Sequence, residues 1–304
     1  MLPSHWLSGI DSLLAPCGAY LSSKLGLSRL PEHFTLVVLS ALTFHIIQLL
    51  SGVFSRVIFP KTYGNLKKNV RSNWDAHVVS MAHAVTIIPL AYSFKMKGSP
   101  SLEEDHAFGW DPEIGSIIGI SIGYFMWDSI HCILDMTDFG FIVHATLCLA
   151  VYLNGYRPFL AYYACSFLLW ELSTPFLNIH WFLDKLGMTG GFFQLINSAV
   201  LLVSFFGARL VFGTYSSYEF INTMQELKAN HQISTIFYAA YLFGNVSLNL
   251  LNWIWFFKMI KALRKRFSKT TEPRRNGTGY HGESANGATK QVANSRSKRK
   301  VKLA

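Results

Sequence analysis

Apolar residues in this chain come in long blocks. Seven of them, near 34–54, 75–94, 114–134, 139–153, 158–178, 191–213 and 234–257, are separated by short polar segments. A helix needs about 20 residues, within a range of about 17–25, to cross a bilayer. The pattern therefore predicts an all-α multi-pass membrane protein with about seven transmembrane helices. The block at 139–153 is short. It must tilt little or borrow Phe139 to Phe141 at its entrance, so six spans is the rival count. Ahead of the first block, Trp6, Leu7, Ile10, Leu13 and Leu14 recur at helical spacing. Residues 1–33 read as a segment lying in the membrane interface, with a disordered lead-in as the alternative. They lack the basic n-region of a cleaved signal peptide.

Smaller signals sit inside the blocks. Gly115, Gly119 and Gly123 are four residues apart. They make one smooth helical face that lets a neighbouring helix approach closely. Pro89 and Pro175 fall near the ends of the second and fifth blocks, where each should kink or end its helix. Ser173 and Thr174 precede Pro175, and their hydroxyls can satisfy the carbonyls it frees.

Charge adds orientation. The chain of 304 residues is 51% hydrophobic and only 14% charged, against about 25% charged in soluble domains. Its net charge of +10 collects between Arg56 and Arg71 and in the tail. That distribution points to topology and anionic headgroups rather than to nucleic acid. With seven spans, the Arg56–Arg71 connection and the exit through Lys258, Lys261 and Arg264 share one side, which the rule makes cytosolic. The connection carrying Glu103, Glu104, Asp105, Asp111 and Glu113 falls on the lumenal side. The N-terminus is then lumenal and the C-terminus cytosolic. Residues 34–69 form the first span with its basic cytosolic connection, and 266–304 a basic tail whose composition cannot bury a core. The tail ends Lys300-Val-Lys302-Leu-Ala. Lysines three and five residues from a cytosolic C-terminus resemble the dilysine retrieval signal that coat machinery reads on endoplasmic reticulum membrane proteins. Cys132, Cys148 and Cys165 lie in apolar blocks and read as small buried hydrophobes. No metal-binding spacing occurs, and nothing in the composition calls for a cofactor.

Ionisable residues inside the blocks carry the candidate chemistry. Each costs about 2.5–3.5 kcal/mol at mid-bilayer on insertion scales, so such residues are rarely accidental. The assigned orientation places Asp128, His144 and Glu171 roughly 8–11 Å below the cytosolic boundary at 1.5 Å per residue, with His83 at a similar depth. Arg209 is expected near the lumenal end of its span, where it could snorkel. Three readings are open. The three residues hydrogen-bond one another and only hold helices together. They line a cavity for a lipid headgroup or acyl carbonyl. Or His144 is a general base, oriented by a carboxylate, for acyl transfer to an amine or hydroxyl. His45, His77 and His131 read as interfacial or satisfied.

At these residues a resemblance enters. Trp74-Asp-Ala-His-Val-Val-Ser-Met-Ala-His83, the run Gly123-Tyr-Phe-Met-Trp-Asp128, His144 and the stretch Trp170 to Phe182 resemble the TLC (TRAM–Lag–CLN homology) domain over about 70–265. They are most similar to the small TLC-domain-only subgroup, sometimes called transmembrane protein fifty-six-like. The signature maps onto Glu171, Ser173, Pro175, Asn178 and Trp181–Phe182. The resemblance implies a six-helix core plus one helix, residence in the endoplasmic reticulum membrane, membrane lipids as partners, and a role in lipid homeostasis through binding, sensing or modification. His83, Asn178 and Arg209 become candidate substrate-binding residues, beside His144, Asp128 and Glu171 as candidate catalytic ones. The family includes ceramide synthases, which acylate sphingoid bases using acyl-CoA. Their motif has adjacent histidines and paired aspartates. Here Val143–His144 stands for the first, and Glu171 and Asn178 stand in the region of the second. Sphingolipid N-acylation, with acyl-CoA as substrate, is accordingly the alternative. A purely structural or transport role is a further one.

Overall fold

The computed structural model describes residues 4–135 and 138–271. Among these residues every regular element is a helix. In chain order they are α1 (Ser4–Leu25), α2 (Leu30–Ile58), α3 (Pro60–Tyr63), α4 (Lys68–Lys97), α5 (Pro100–Glu104), α6 (Pro112–Leu134), α7 (Phe139–Gly155), α8 (Ala164–Leu168), α9 (Thr174–Lys185), α10 (Phe192–Phe205), α11 (Gly213–Ala229) and α12 (Thr235–Thr271). Residues up to Ala262 form one unit. Lys300, Lys302 and nearly all of the basic tail lie outside the described residues.

The apolar blocks become helices with differences that have physical causes. Leu30–Ile58, Lys68–Lys97, Pro112–Leu134 and the continuous stretch Phe192–Ala229 are each long and apolar enough to cross a membrane. The chain is a multi-pass, all-α membrane protein. The short fourth block is α7, of 17 residues, and begins at Phe139 as its length demanded. Asp138 caps it, accepting a hydrogen bond from the Gly140 N–H at 3.0 Å. The fifth block is not one helix. It is broken into 3₁₀ turns at Ala161–Tyr163 and Leu169–Ser173, with α8 between them and α9 after. Pro175 lies in the first turn of α9, where its missing N–H costs nothing. Pro89, by contrast, does not end its helix, which runs on to Lys97.

One seam is tight. Gly115 and Gly123 of α6 face His33 and Ser40–Ala41 of α2 so closely that an added Cβ would collide, whereas at Gly119 the collision would be with the Tyr156 hydroxyl and Leu36 of α2 would be in ordinary contact. Tyr156 closes the same seam, donating to the Gly115 carbonyl at 3.0 Å. Next to it, Asp75 of α4 accepts from Ser51 of α2 at 2.7 Å and from Tyr63 of α3 at 2.8 Å. The indole of Trp74 donates to Ser55 at 2.9 Å. Helices α2, α4, α6 and α7 bury the larger apolar core, including Val79, Ile87, Ile114, Ile118 and Ile122. A second, mostly aromatic cluster joins Phe159, Leu160, Tyr163, Phe220, Met224 and Tyr241.

Candidate functional site

Ring contacts join α12 to α7 and to the stretch that follows it: Phe141 of α7 stacks on Trp255 with centroids 5.4 Å apart, and Phe159, beyond the end of α7, meets Tyr241 edge-on at 5.2 Å. Between those contacts lies a cleft of about 870 Å³ of atom-free space, its open part included. One face of α7 lines it, through His144, Cys148, Val151, Tyr152 and Gly155, at the spacing of a single helical stripe. The broken fifth segment supplies the facing wall, including Trp170 and Glu171, while Arg209, Phe220 and Tyr241 come from the later helices.

The polar end of the cleft is built around Arg209. Its guanidinium stands 3.7 Å from Glu171 Oε1, and both residues are more than nine-tenths buried. Arg209 Nε donates to Ser173 Oγ at 3.0 Å, one terminal nitrogen to Thr174 Oγ1 at 3.1 Å, and the other to Asn252 Oδ1 at 3.3 Å. Fixing a buried cation takes a partner of opposite charge and hydrogen bonds to its remaining donors, and this arrangement supplies both. Ser173 also donates to the Trp170 carbonyl at 3.4 Å, in the broken stretch where a free carbonyl needs a donor. The hydroxyls before Pro175 thus serve the backbone and the cation together. Arg209 itself lies in a π-helical segment, Phe206–Phe212. Such wide turns within α-helices occur frequently at functional sites.

Of the residues singled out in the sequence, the cleft brings together His144, Glu171 and Arg209. Arg209 corrects an expectation. It is not near a helix end and does not snorkel, because the helix continues past the apolar block to Ala229 and leaves it mid-helix and buried. His144 makes no hydrogen bond to Glu171. Its two ring nitrogens each lie 3.9 Å from Cys148 Sγ, and its ring meets Trp255 edge-on at 5.4 Å. Asp128, His83 and Asn178 do not line the cleft. Cys132, one turn further along α6, donates to Asp128 Oδ1 at 3.6 Å. His83 is fully buried and stacks flat on Tyr124 at 3.8 Å, with neither ring nitrogen hydrogen-bonded. Asn178 ties α9 to α4: its Oδ1 is 2.7 Å from His77 Nδ1 and its amide donates to Ser80 at 3.3 Å. His77 then stacks on Trp181 at 4.3 Å, so it is a packed and bonded core group.

Several site residues escaped sequence reasoning. Asn252, Trp170 and Tyr241 sit in apolar stretches and carry no charge to flag them. All three are buried, and the Asn252 amide nitrogen, the Trp170 indole N–H and the Tyr241 hydroxyl have no hydrogen-bond partner. The signal that could have found Asn252 is its place among Asn245 and Asn249, at helical spacing. These bond Ser217 of α11 at 3.1 and 2.9 Å.

Comparison with known proteins adds what geometry alone leaves open. The TLC domain family model matches residues 73–261, which hold every cleft residue. An uncharacterized TLC domain-containing protein of Schizosaccharomyces pombe is 41% identical over 248 residues, covering 80% of this chain and 83% of that protein. Topoisomerase I damage affected protein 4 of Saccharomyces cerevisiae is 27% identical over 256 residues, covering 80% and 88%. TLC domain-containing protein 4-B of Danio rerio is 29% identical over 225 residues, covering 68% and 80%.

Proposed function

Because the chain belongs to the TLC domain family, we propose that it acts on membrane lipid composition in the endoplasmic reticulum by taking a lipid into the cleft between α7 and α12. The observation that carries this reading is the cleft's division into a long apolar part and one polar end, at Arg209, Glu171 and His144. An apolar cavity with a few convergent polar groups is the form of small-molecule sites. Ionisable groups at membrane depth are held only where they have work or partners. In this reading the partners are membrane lipids. Lys300 and Lys302 serve as the retrieval signal for coat machinery, and changing both to Ser should let the protein reach the Golgi.

Acyl transfer is the second reading. His144 borders the cleft where an acyl carbonyl would meet a base, and acyl-CoA would be its substrate rather than a bound cofactor. Such a base must reach the proton it removes. With Cys148 as the nearest polar neighbour at 3.9 Å, that proton would come from the incoming amine or hydroxyl.

The test is lipid profiling of cells that lack the protein, complemented by the original chain or by His144→Ala. His144 makes no hydrogen bond shorter than its sulfur contacts, so the variant should keep near-normal abundance and fail to restore lipid composition. A stable His144→Ala protein that restores it fully would remove this residue from the function.

A further inference from the structure

Helix α2 is less buried within the molecule than any other of the four long apolar helices. Its inward side, with Val37, Ser40, Phe44 and Ser51, packs into the bundle. Leu42, His45, Ile46, Leu49 and Val53 share its other side, at the spacing of one helical stripe, and all five are exposed. The four apolar members suit a bilayer, since lipid tails are as apolar as they are. His45 does not.

His45 is not interfacial, as its sequence context suggested. It lies fifteen residues after Leu30 and thirteen before Ile58. At 1.5 Å per residue the two ends of α2 are about 22 and 20 Å away, against a hydrocarbon core about 30 Å thick. Its side chain is too short to reach either boundary, in contrast to the long stems of Lys and Arg that snorkel. No other exposed His, Lys, Arg, Asp or Glu among the described residues of the four long helices lies more than three turns from both ends. Exposed hydroxyls near this depth are satisfied within their own helix: Thr43 donates to the Leu39 carbonyl at 2.7 Å and Thr86 to the Ala82 carbonyl at 2.8 Å. His45 makes no hydrogen bond within the described residues. Ionisable residues at membrane depth almost always face a bundle interior or pair with one another. The partner of His45 must therefore come from outside this fold.

The membrane itself selects that partner. Every copy of a membrane protein inserts with the same side to the cytosol. A symmetric pair can then be related only by a two-fold axis along the membrane normal, and such an interface sets each surface against itself. Each residue near the axis meets its own counterpart at its own depth. An uncharged imidazole has one donor nitrogen and one acceptor nitrogen, so it is complementary to a second copy of itself. A different protein would have to place a polar group at the same depth independently. A single polar residue in an apolar helical seam is also the known means of fixing register and partner number.

We infer that the exposed stripe of α2 is a self-association surface: two copies of the chain meet along parallel α2 helices, with His45 bonded to His45 across the two-fold axis and Leu42 and Leu49 packed one turn to either side. This holds whether or not the cleft on the opposite part of the fold takes a lipid.

The test uses the full chain in liposomes with Cys17, its one exposed cysteine, changed to Ser. Leu42→Cys and Leu49→Cys, each with His45 intact, should give a disulfide-linked pair on oxidation with copper phenanthroline. Val85→Cys, exposed on α4, should give little. Energy transfer between labelled copies, followed as lipid is added, measures the association. His45→Leu should weaken it by about threefold to thirtyfold, which is about 0.6–2 kcal/mol for one interhelical bond at 1.4 kcal/mol per tenfold. His45→Asn, which also carries donor and acceptor, should retain it. Because His45 has no bonded partner inside the fold, His45→Leu should leave the unfolding midpoint in detergent unchanged; if that variant is unstable, the two leucine positions still decide. No energy transfer above that of freely mixed copies, equal crosslinking from Val85→Cys, or a His45→Leu chain that associates as tightly as the original would each overturn the inference. So would oxidation in cell membranes that joins Leu49→Cys to a different protein and not to itself.

Discussion

The α2–α6 seam and the α7–α12 seam join helices in opposite ways. The first uses glycines and puts backbone against side chain over its whole length, with His33, Leu36 and Ser40 filling the groove of Gly115, Gly119 and Gly123. The second uses large rings at its two ends and leaves the middle open. Lipid tails are as apolar as Leu, so burying apolar surface gives helices in a bilayer little reason to associate. Close packing and polar contacts must hold them. The tight seam relies on the first of these. Around the open seam the second holds α12 to its other neighbours, with Asn252 bonded to Arg209, which is paired with Glu171, and Asn245 and Asn249 bonded to Ser217. A cleft can persist in the membrane because its polar end, and not its apolar wall, fastens the helices around it.

That contrast is broken most severely at Arg209. Arg209→Met should leave Glu171 buried without its cation and cost about 3–5 kcal/mol. The readout is a fall in thermal stability in detergent, followed by size-exclusion of the fluorescent fusion. Adding Glu171→Gln to Arg209→Met should recover much of the loss, since the two share one interaction. Additive losses would show that the pair does not fasten the seam. Gly123→Val comes next. Its new side chain meets Ser40 and the backbone of Ala41, and overpacking of this kind costs about 1–3 kcal/mol. Here lipid labelling of the cleft should fall only in step with protein abundance. Labelling lost from an otherwise stable protein would couple the two seams. The smallest effect belongs to Ser173→Ala, which removes one of several bonds to Arg209 and should lower stability by about 0.6–2 kcal/mol. A midpoint unchanged in Ser173→Ala but lowered in Thr174→Ala would place the support on the other hydroxyl.

The sequence carried the tight seam well and the open one in part. Three glycines four residues apart name a close-packed face without reference to what packs on it. Blocks of apolar residues give the helices because backbone groups in lipid have no other way to be satisfied. His144 and Glu171 were legible because an ionisable residue in an apolar block is conspicuous. Arg209 was conspicuous too, but its place within its helix was misread. The run Thr214-Tyr-Ser-Ser217 looks like the end of a span, whereas the helix continues because Ser216 and Ser217 are buried against neighbours. Depth along the chain also grouped Asp128 and His83 with the site. Depth fixes one coordinate, while the face of the helix fixes another, and these two residues stay within electrostatic reach of Glu171 but do not line the cleft. Asn252 was illegible for a further reason: its importance lies in the bond it accepts from Arg209, which exists only once the fold has brought α12 beside the π-helical segment.

The π-helical turn at Phe206–Phe212 has one further consequence. A wide turn holds one residue more than an α-turn needs, so it is a place where the chain's length and its facing directions are decoupled. Deleting a single residue there, such as Gly207, where an added Cβ would meet nothing within 4 Å, would let the helix close into a continuous α-form. Arg209 and Phe220 both follow Gly207, and at about 100° per residue eleven α-helical residues return to within about 20° of the starting face, so the two would still share one side of the continuous helix. The wide turn is therefore a place where this helix can give up length while the two ends of the site stay in phase.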